Sequence, residues 1–483
     1  MACPPLTDIQ MSNTANYTLD TWRSDITAAQ EAHIDAFALN TGFGMRYTST
    51  SLRDSFTAAA ELDFKLFLSL DYASSASDAL TNRTAIWPQE EVVSLLDEYI
   101  AHEAYFRHEG KPLVSTFEGF EAAENWTGIK NHVREEILFI PDWTSVGPVR
   151  ASAVRSIDGL MCWNAWPTGT SPKTTSDDDA YRVILDSRGP DKLYIMPVSP
   201  WFYTNLPQFA KNWVWQGDDL WYTRWQQVLE LDPAPDFVEI ISWNNFGESH
   251  YVGPLHDDGV GTEILEHARA PFDYVRGMPH DGWRVLLPFL IAQYKARDAG
   301  ERGRGSHGRR AEEEVEIEEE LLSVWYRLSP AASCGHGNTT GGAHDDEDTP
   351  ILDPGVILED RVFYSALLEE DAEVSVAIGG DFGNGAEWTN IPNGGRGVYH
   401  GSSAMGDREG EVVVSIARDG ETFAEMRGRN IELQKECPLN KTNWNAWVGV
   451  GNATAASGEN RISPLKRWMV MGLVMVVGLG ACL

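Results

Sequence analysis

The segment FVEIISWNNFGESHY, residues 237–251, gives the strongest indication of the fold. Its first seven residues, 237–243, are mostly apolar and rich in branched and aromatic side chains, which is typical of a buried strand. Polar residues follow at once, and among them are two adjacent amides and the carboxyl of Glu248. In barrels of alternating strands and helices, the reactive groups lie where the strands end. The segment therefore predicts such a strand, with Glu248 at its functional end.

The same rhythm recurs through the N-terminal part of the chain. Six further apolar runs predict strands at 34–39, 65–70, 112–116, 137–140, 159–163 and 193–198. Helical spacing of apolar residues fills the intervals at 19–32, 52–62, 88–104, 148–156 and 221–231. This alternation predicts an α/β fold of the (β/α)8 TIM-type barrel class. Because a helix precedes the first of only seven strands, we expect the barrel to lack its first strand through N-terminal truncation.

Composition divides the chain into four regions. Residues 1–298 carry the barrel pattern, and a helix at 283–296 is assigned to it. Residues 299–322 are rich in Gly and Arg and then in Glu, which is typical of a charged linker. Residues 323–450 alternate like strands between Gly, Asn and Asp turns, for example at 362–368, 372–378, 411–416 and 422–426, and predict a small β-sandwich domain. Residues 451–483 form a tail.

The negative net charge of the chain argues against partners that are themselves anionic. Lys and Arg number 38 against 72 Asp and Glu, which gives a formal net charge of -34. Such a surface repels phosphate backbones and anionic lipids, so we expect no nucleic-acid partner. A neutral polysaccharide is compatible with it, and the 18 Trp residues offer rings that can stack on sugars. A monomer is expected.

Several features predict export. Asparagine sequons lie at Asn16, Asn82, Asn125, Asn338, Asn440 and Asn452. The tail has the small residues 456–458, a polar spacer and the apolar run 468–483, in the order of a GPI-attachment signal; a short transmembrane anchor is the alternative. We expect a secreted or cell-surface protein, although residues 1–10 lack the pattern of a signal peptide. A disulfide between Cys334 and Cys437 is also expected.

The residues that follow the predicted strands are those that a sugar-binding cleft requires. They are carboxyls, amides and aromatic rings: Asn40, Asp71, Glu118, Asp142, Trp143, Asn164, Trp166, Trp201, Tyr203, Asn244, Asn245 and Glu248. Gly-rich phosphate loops, HExxH, paired CxxC and GxSxG motifs are absent from the sequence, so no metal or cofactor is expected.

Hydrolysis of a glycosidic bond needs two carboxyl groups. One protonates the leaving oxygen, and the other activates water or attacks the anomeric carbon. Asp71, Asp142 and Glu248 are eligible by position, with Glu118 behind them. For any single one of them, a role as a helix cap or salt-bridge partner remains open.

These motifs together resemble a known family. The segments 12–17 (SNTANY), 34–40 (IDAFALN), 67–71 (FLSLD) and above all 242–251 (SWNNFGESHY) are similar to the fungal α-1,3-glucanases, or mutanases, of glycoside hydrolase family 71. The similarity also includes 163–167, 217–222, 325–327 and 445–449, and so covers most of the chain. It implies endo-hydrolysis of α-1,3-glucan with inversion, in the fungal wall and without a metal.

The resemblance also suggests roles for single residues. Glu248 matches the acid of the family motif and is expected to be the general acid, while Asp71 is expected to assist or replace the base. His250 and Tyr251, in the same motif, join the substrate-binding candidates. Asn245 stands where the motif commonly has Asp, and it would hold water or a sugar hydroxyl. Loss of a general base costs roughly 10²- to 10⁴-fold in rate.

Three functional hypotheses remain at this point. The first is an active α-1,3-glucan endohydrolase. The second is a catalytically impaired cell-wall protein that binds α-glucan through the same cleft, because Asn245 replaces an acid. The third is a barrel of related architecture that acts on α-mannan.

Overall fold

The computed structural model describes residues 4–45, 48–73, 77–78, 83–84, 87–256, 259–302, 315–331, 338–342, 351–433 and 442–453. These residues form a parallel sheet surrounded by helices and, after it in the chain, an antiparallel sheet packed against the first unit. Nearly all of the predicted tail, the Cys334–Cys437 disulfide and half of the linker, residues 303–314, lie outside the described residues. In the described part of the chain, no helix is both long and apolar enough to cross a membrane.

Eight parallel strands build the N-terminal unit. In chain order they are β1 (Pro5–Gln10), β2 (Ala36–Gly42), β3 (Lys65–Asp71), β4 (Lys111–Phe117), β5 (Leu138–Phe139), β6 (Gly159–Met161), β7 (Leu193–Val198) and β8 (Phe237–Ile240). They pair in the order β5-β4-β3-β2-β1-β8-β7-β6. The two ends of this path meet at Asp142, which forms single parallel bridges to Phe117 and Met161. The strands thus curl around a common interior, and the predicted α/β fold is confirmed.

The expectation of a missing first strand is wrong. Pro5–Gln10 is that strand, and it pairs in parallel register with β2 on one side and β8 on the other. The apolar pattern failed to reveal it because side chains alternate between the two faces of a strand. On β1, Asp8 and Gln10 lie on the same face. These two polar residues interrupt the apolar pattern of a run of only six residues.

Ten α-helices lie in the described residues. They are α1 (Leu19–Glu31), α2 (Thr48–Glu61), α3 (Gln89–Tyr99), α4 (Asn125–His132), α5 (Gly147–Ala151), α6 (Ser176–Arg188), α7 (Leu220–Glu230), α8 (Glu263–His267), α9 (Leu287–Arg302) and α10 (Pro354–Ile357). Helix α1 begins with a capping box in which Thr18 and Thr21 satisfy each other's backbone amides. Helix α6 was not predicted because it starts with three Asp residues, which are nonetheless favourable beside the positive end of a helix dipole.

The C-terminal unit is one antiparallel sheet of eight strands. They are β9 (Leu321–Arg327), β10 (Arg361–Leu368), β11 (Glu373–Ile378), β12 (Trp388–Asn390), β13 (Gly397–Ala404), β14 (Gly410–Arg418), β15 (Glu421–Ile431) and β16 (Ala446–Ala453). Their order is β11-β14-β15-β16-β9-β10-β13-β12. The strands form one continuous hydrogen-bonded sheet, in which β9 and β16 join the two halves, and the predicted sandwich is not confirmed. The linker is also shorter than predicted, since α9 extends to Arg302 and β9 begins at Leu321.

Alternating side chains of this sheet serve two cores. On β9, Val324 and Tyr326 belong to a core formed by the sheet itself, whereas Trp325 belongs to the large core of the N-terminal unit. The indole of Trp325 donates to the carbonyl of Asp218 at 2.8 Å. The hydroxyl of Ser323 donates to the carbonyl of Gly282, also at 2.8 Å. The sheet is thus fixed to the barrel by both apolar and polar contacts.

Candidate active site

The segment that follows β8 forms a tight loop around Glu248. The Ser242 amide donates to the His250 carbonyl at 2.9 Å, and the Val252 amide donates to the Ser242 carbonyl at 2.9 Å. Between these bonds, Phe246–Glu248 is a single 3-10 turn, and Ser249 takes a left-handed conformation with φ 59. The loop therefore brings Asn245, Glu248 and His250 onto one side.

Glu248 is surrounded by hydrogen-bond donors. Its Oε1 accepts from Lys211 Nζ at 2.6 Å, and its Oε2 accepts from Asn245 Nδ2 at 2.7 Å and lies 3.1 Å from His250 Nε2. The Ser242 hydroxyl orients two of these donors. It accepts a hydrogen bond from the backbone amide of Asn245 and contacts His250 Nδ1, both at 3.0 Å. The Glu248 side chain is 17% exposed, so a substrate can still reach it.

The surroundings of Glu248 determine its charge. Burial alone would raise the pKa of this carboxyl, but the Lys211 ammonium and the contact with His250 hold the pKa well below its ordinary value of 4.5. Burial also lowers the pKa of His250, so its ring is neutral at neutral pH and the hydrogen of Nε2 can point at Glu248. Glu248 is therefore a carboxylate across the neutral range, whereas the sequence-based expectation was a proton donor.

Lys211 reaches Glu248 from a hairpin inserted between β7 and α7. The hairpin pairs Tyr203–Leu206 with Lys211–Val214 in antiparallel register. A segment from beyond the linker, Thr340–Gly341, adds a third strand parallel to the second. The Thr339 hydroxyl also donates to the side chain of Asn212 at 2.8 Å. Residues distant in sequence thus hold the lysine against the carboxylate.

On the β1 to β3 side of the interior lie Asp71 and Asn40, both buried. Asp71 ends β3, and its Oδ1 accepts the Ala73 amide at 2.8 Å. Asn40 lies opposite Gln10 of β1 and Ser69 of β3. Asp8 lies beside them on β1, and both Asp71 and Glu248 act electrostatically on it. The structure therefore brings together two acids expected from the sequence, Asp71 and Glu248, and a third that was not.

The two remaining candidate acids differ from each other. Asp142 is fully buried; its Oδ1 accepts both the backbone and the hydroxyl of Thr144, and burial raises its pKa to about 8. Glu118 is only partly buried and accepts the backbone and hydroxyl of Ser145. Both carboxyls thus hold neighbouring loops in place, and that is the structural role left open above.

The predicted aromatic residues are mainly core residues. Trp143, Trp201, Tyr203 and Tyr251 have at most 1% of their surface exposed, so they cannot offer a face to a sugar. The Trp201 indole donates to the Trp444 carbonyl at 3.0 Å and so links the barrel to the C-terminal sheet.

Of the predicted rings, Trp166 lies near Glu248 through His250, and two rings that were not predicted, Trp215 and Trp163, are partly exposed. Trp166, with 6% exposure, lies against His250 at 5.3 Å between ring centroids. Trp215, which is partly exposed, packs on Trp166 at 5.1 Å. Trp163, also partly exposed, contacts Phe117 edge-on at 4.8 Å.

The amides also divide into separate roles. Asn244 is buried and binds the backbone of Gln10 through both its oxygen and its nitrogen, at 2.8 and 3.2 Å. It therefore ties the loop after β8 to the end of β1. Asn164 is exposed. Asn245 alone of the three contacts Glu248.

Sequence reasoning missed Lys211, Asp8 and Trp215. Lys211 and Trp215 lie well inside the connection from β7 to α7, beyond the residues that directly follow the strand. Asp8 was missed together with its strand. No cluster of three His, Cys, Asp or Glu side chains that could hold a metal ion occurs among the described residues.

Two characterised relatives align with nearly the whole chain. A mutanase of Penicillium rubens is 30% identical over 92% of this chain and 87% of its own length. The glucan endo-1,3-alpha-glucosidase agn1 of Schizosaccharomyces pombe is 31% identical over 91% of this chain and 92% of its own. An ascus wall endo-1,3-alpha-glucanase of the same yeast is 28% identical over 60% of this chain.

Solved structures are more distant. An endo-alpha-mannosidase of family GH99 from Bacteroides thetaiotaomicron has a TM-score of 0.43 and 15% identity, over 59% of this chain and 81% of that one. A glycoside hydrolase of family 5 from Bacteroides vulgatus has a TM-score of 0.35 and 10% identity, over 97% and 94%. The model of glycosyl hydrolase family 71 matches residues 7–460. The resemblance seen in the sequence is confirmed, and the chain belongs to glycosyl hydrolase family 71.

Proposed function

We propose that this enzyme hydrolyses α-1,3-glucosidic bonds within cell-wall α-glucan, by an endo-acting mechanism that inverts the anomeric carbon. The single observation that carries the proposal is Glu248. It lies in the loop that follows β8, its side chain is 17% exposed, and three donors from the hairpin and from its own loop hold it as a carboxylate. A carboxylate fixed in this way suits the activation of a water molecule.

The second carboxyl is expected across the cleft from Glu248. In glycosidases the catalytic carboxyls flank the sugar, at about 5 Å in retaining enzymes and about 6.5–9.5 Å in inverting ones. Position 245 does not meet this requirement, because Asn245 Nδ2 lies 2.7 Å from Glu248. Asp71, on β3, is the acid from the sequence-based set that faces the same interior from another strand. We therefore assign Asp71 as general acid and Glu248 as general base, which reverses the roles expected from the sequence.

The reaction then runs as follows. Asp71 gives its proton to the glycosidic oxygen as the bond from that oxygen to the anomeric carbon breaks. Glu248 takes a proton from a water molecule, whose oxygen bonds to the anomeric carbon from the opposite face. Trp163, Trp166 and Trp215 are the rings that can support sugar faces nearby. Asn245 fixes one oxygen of Glu248, so that the lone pairs of the other oxygen and the Lys211 ammonium face the cleft.

An enzyme that acts on a wall polysaccharide must work outside the cell, and the exposed sequons agree with such a location. The sequon residues Asn16, Asn125 and Asn338 are exposed, so they are open to glycosylation. Together with the GPI-like order of the C-terminal tail, this supports a secreted or surface-anchored enzyme. We propose that it acts as a monomer on the α-glucan of the wall.

The alternative is a glucan-binding protein with little activity, and Asn245→Asp separates the two. Reducing-end release from insoluble α-1,3-glucan is measured for both proteins. For an active enzyme, the natural chain releases reducing ends and the variant is no faster, because an ionised Asp cannot donate to Glu248 and repels it. A natural chain that binds glucan but releases nothing, with a gain of 10²-fold or more in the variant, would overturn the proposal.

Two controls complete the experiment. Asn390→Asp introduces the same charge at an exposed position of β12, in the distant sheet, and should leave the rate unchanged. An α-mannan substrate tests the third hypothesis. Hydrolysis of mannan without hydrolysis of glucan would reject the substrate that we propose.

A further inference from the structure

A buried tyrosine contacts the loop that carries Glu248. Tyr274 lies in the segment between α8 and α9, and its surface is fully buried. Its hydroxyl donates to the carbonyl of Gly247 at 2.7 Å and accepts a longer bond of 3.4 Å from the amide of Asn205. Burial raises the pKa of Tyr274 well above its ordinary value of 10, so the hydroxyl keeps the proton that it donates. A single hydroxyl thus connects two segments of backbone.

These two segments are the ones that carry Glu248 and Lys211. The Gly247 carbonyl belongs to the peptide group that joins this residue to Glu248. In the hairpin, Leu206 pairs with Lys211, and Asn205 directly precedes Leu206. The segments also touch, since a Cβ atom at position 247 would lie 3.1 Å from Leu206 Cδ1. The tyrosine hydroxyl therefore joins the supports of both partners in the 2.6 Å contact between Lys211 Nζ and Glu248 Oε1.

The rest of Tyr274 is held by other parts of the molecule. Its carbonyl accepts from Asn445 Nδ2 at 3.0 Å, and Asn445, directly before β16, is fully buried. Its ring lies against the ring of Tyr203, with 5.0 Å between the centroids. A side chain that packing and hydrogen bonds already hold can fix the geometry of the groups that it binds. Tyr274 meets this condition through contacts with both the hairpin and the C-terminal sheet.

We infer that Tyr274 is a positioning residue for the proposed reaction, in which its hydroxyl sets the spacing between Lys211 and Glu248. The inference rests on the proposed function, in which Glu248 is the general base. The spacing matters because the attraction between an ammonium and a carboxylate weakens as they separate. The side chains of Lys211 and Glu248 are 38% and 17% exposed, so water competes for both partners and a brace is needed to keep them together.

Titratable groups from several elements act on Glu248. Burial raises the pKa of this carboxyl, whereas Lys211 from the hairpin and His250 from its own loop lower it. Asp8 on β1 is a further acid that interacts with it, and Tyr274 is neutral. A larger separation from the Lys211 ammonium therefore raises the pKa of Glu248. The base then takes up a proton at a higher pH, and activity is lost on the acidic side.

Crystal structures of the natural chain and of Tyr274→Phe test the inference without a measurement of activity. The substitution removes one hydroxyl and keeps the ring. The separation of Lys211 Nζ and Glu248 Oε1 should increase from 2.6 Å to more than about 3.2 Å, the upper limit for a hydrogen bond of this kind. Tyr294→Phe is the matched control, because Tyr294 is equally buried and its hydroxyl donates to the Pro235 carbonyl, also at 2.7 Å. The control should leave the separation unchanged.

The pH profile of hydrolysis gives the second measurement. In Tyr274→Phe, the acidic limb of kcat/KM should move to higher pH by about half a unit, in the direction expected when the Lys211 ammonium is removed. In a Lys211→Met background, the same substitution should cause no further shift, because the contact that it disturbs is already absent. Tyr294→Phe should leave the limb in place.

An unchanged separation of Lys211 and Glu248 in Tyr274→Phe would overturn the inference. A loss of activity that is uniform with pH would also overturn it, as would a shift of the limb that is equally large with and without Lys211, since both indicate a merely structural role. If the natural chain does not hydrolyse glucan, the proposed function fails, and the crystal structures still decide about Tyr274.

Discussion

The loop after the last barrel strand and the middle of the first barrel strand hold carboxyls of opposite character. Glu248 and Asp8 share the same buried interior and influence each other electrostatically. Glu248 has Lys211, Asn245 and His250 as donors, and it is ionised. Asp8 has the side-chain amides of Gln10 and Asn40 as donors and acidic neighbours, and burial raises its pKa to about 8. Burial thus does not decide the charge of an acid, because the partners of the acid do.

A third buried acid supports this comparison. Asp178 on α6 is fully buried, and both its oxygens accept from the Arg224 guanidinium, at 2.9 and 3.1 Å. The Tyr194 hydroxyl donates a further bond at 2.9 Å. Here the partner is a full cation in bidentate geometry, which is the arrangement that makes a buried charge tolerable. The three acids thus differ in their partners: Glu248 has an ammonium and neutral donors, Asp8 has side-chain amides and acidic neighbours, and Asp178 has a guanidinium.

Replacing Glu248 should have the largest effect on activity. Glu248→Gln removes the carboxylate that we propose to activate water and keeps the size of the side chain, so kcat for α-1,3-glucan should fall about 10³-fold. Reducing-end release measures it. The exposed Glu263→Gln on α8 is the control and should be fully active. If Glu248→Gln retained more than a tenth of the activity, Glu248 could not be the base.

The next largest effect is expected on stability. Asp178→Asn leaves the Arg224 charge buried without a counter-charge, so the free energy of unfolding should fall by about 3–5 kcal/mol. Urea denaturation followed by tryptophan fluorescence measures this change. The exposed neighbour Asp179→Asn should change the free energy very little. Equal effects of the two substitutions would contradict the view that the buried charge depends on its partner.

The smallest effect at neutral pH is expected for Lys211→Met, which makes Glu248 more like Asp8. Without the ammonium, burial dominates and raises the pKa of Glu248. The base must be ionised to work, so activity on the acidic side should be lost, and the acidic limb of kcat/KM should move to higher pH by about one unit or more. Lys65→Met, at the start of β3, is the control. An unmoved acidic limb would show that Lys211 does not set the charge of Glu248.

The strand positions predicted from the sequence agreed best with the structure where the prediction depended on neighbouring residues alone. Seven of the eight parallel strands were predicted near their observed positions, and 193–198 matches β7. The acid after β8 was found because it follows an apolar run within a few residues. Most of the aromatic candidates are core residues, for a related reason. A Trp next to a strand end looks the same in sequence whether its ring faces the cleft or, like Trp143 and Trp201, the core.

The sequence by itself determined the family, the alternation of strands and helices, and the presence of an acid soon after the last strand, because each depends on neighbours along the chain. The tertiary structure decided which acids are charged. Lys211 lies 37 residues before Glu248, and Asp71 lies 63 residues after Asp8. A pKa depends on burial and on charges brought close by folding, and no local pattern records those. The opposite pKa shifts of Glu248 and Asp8 therefore followed only from their surroundings.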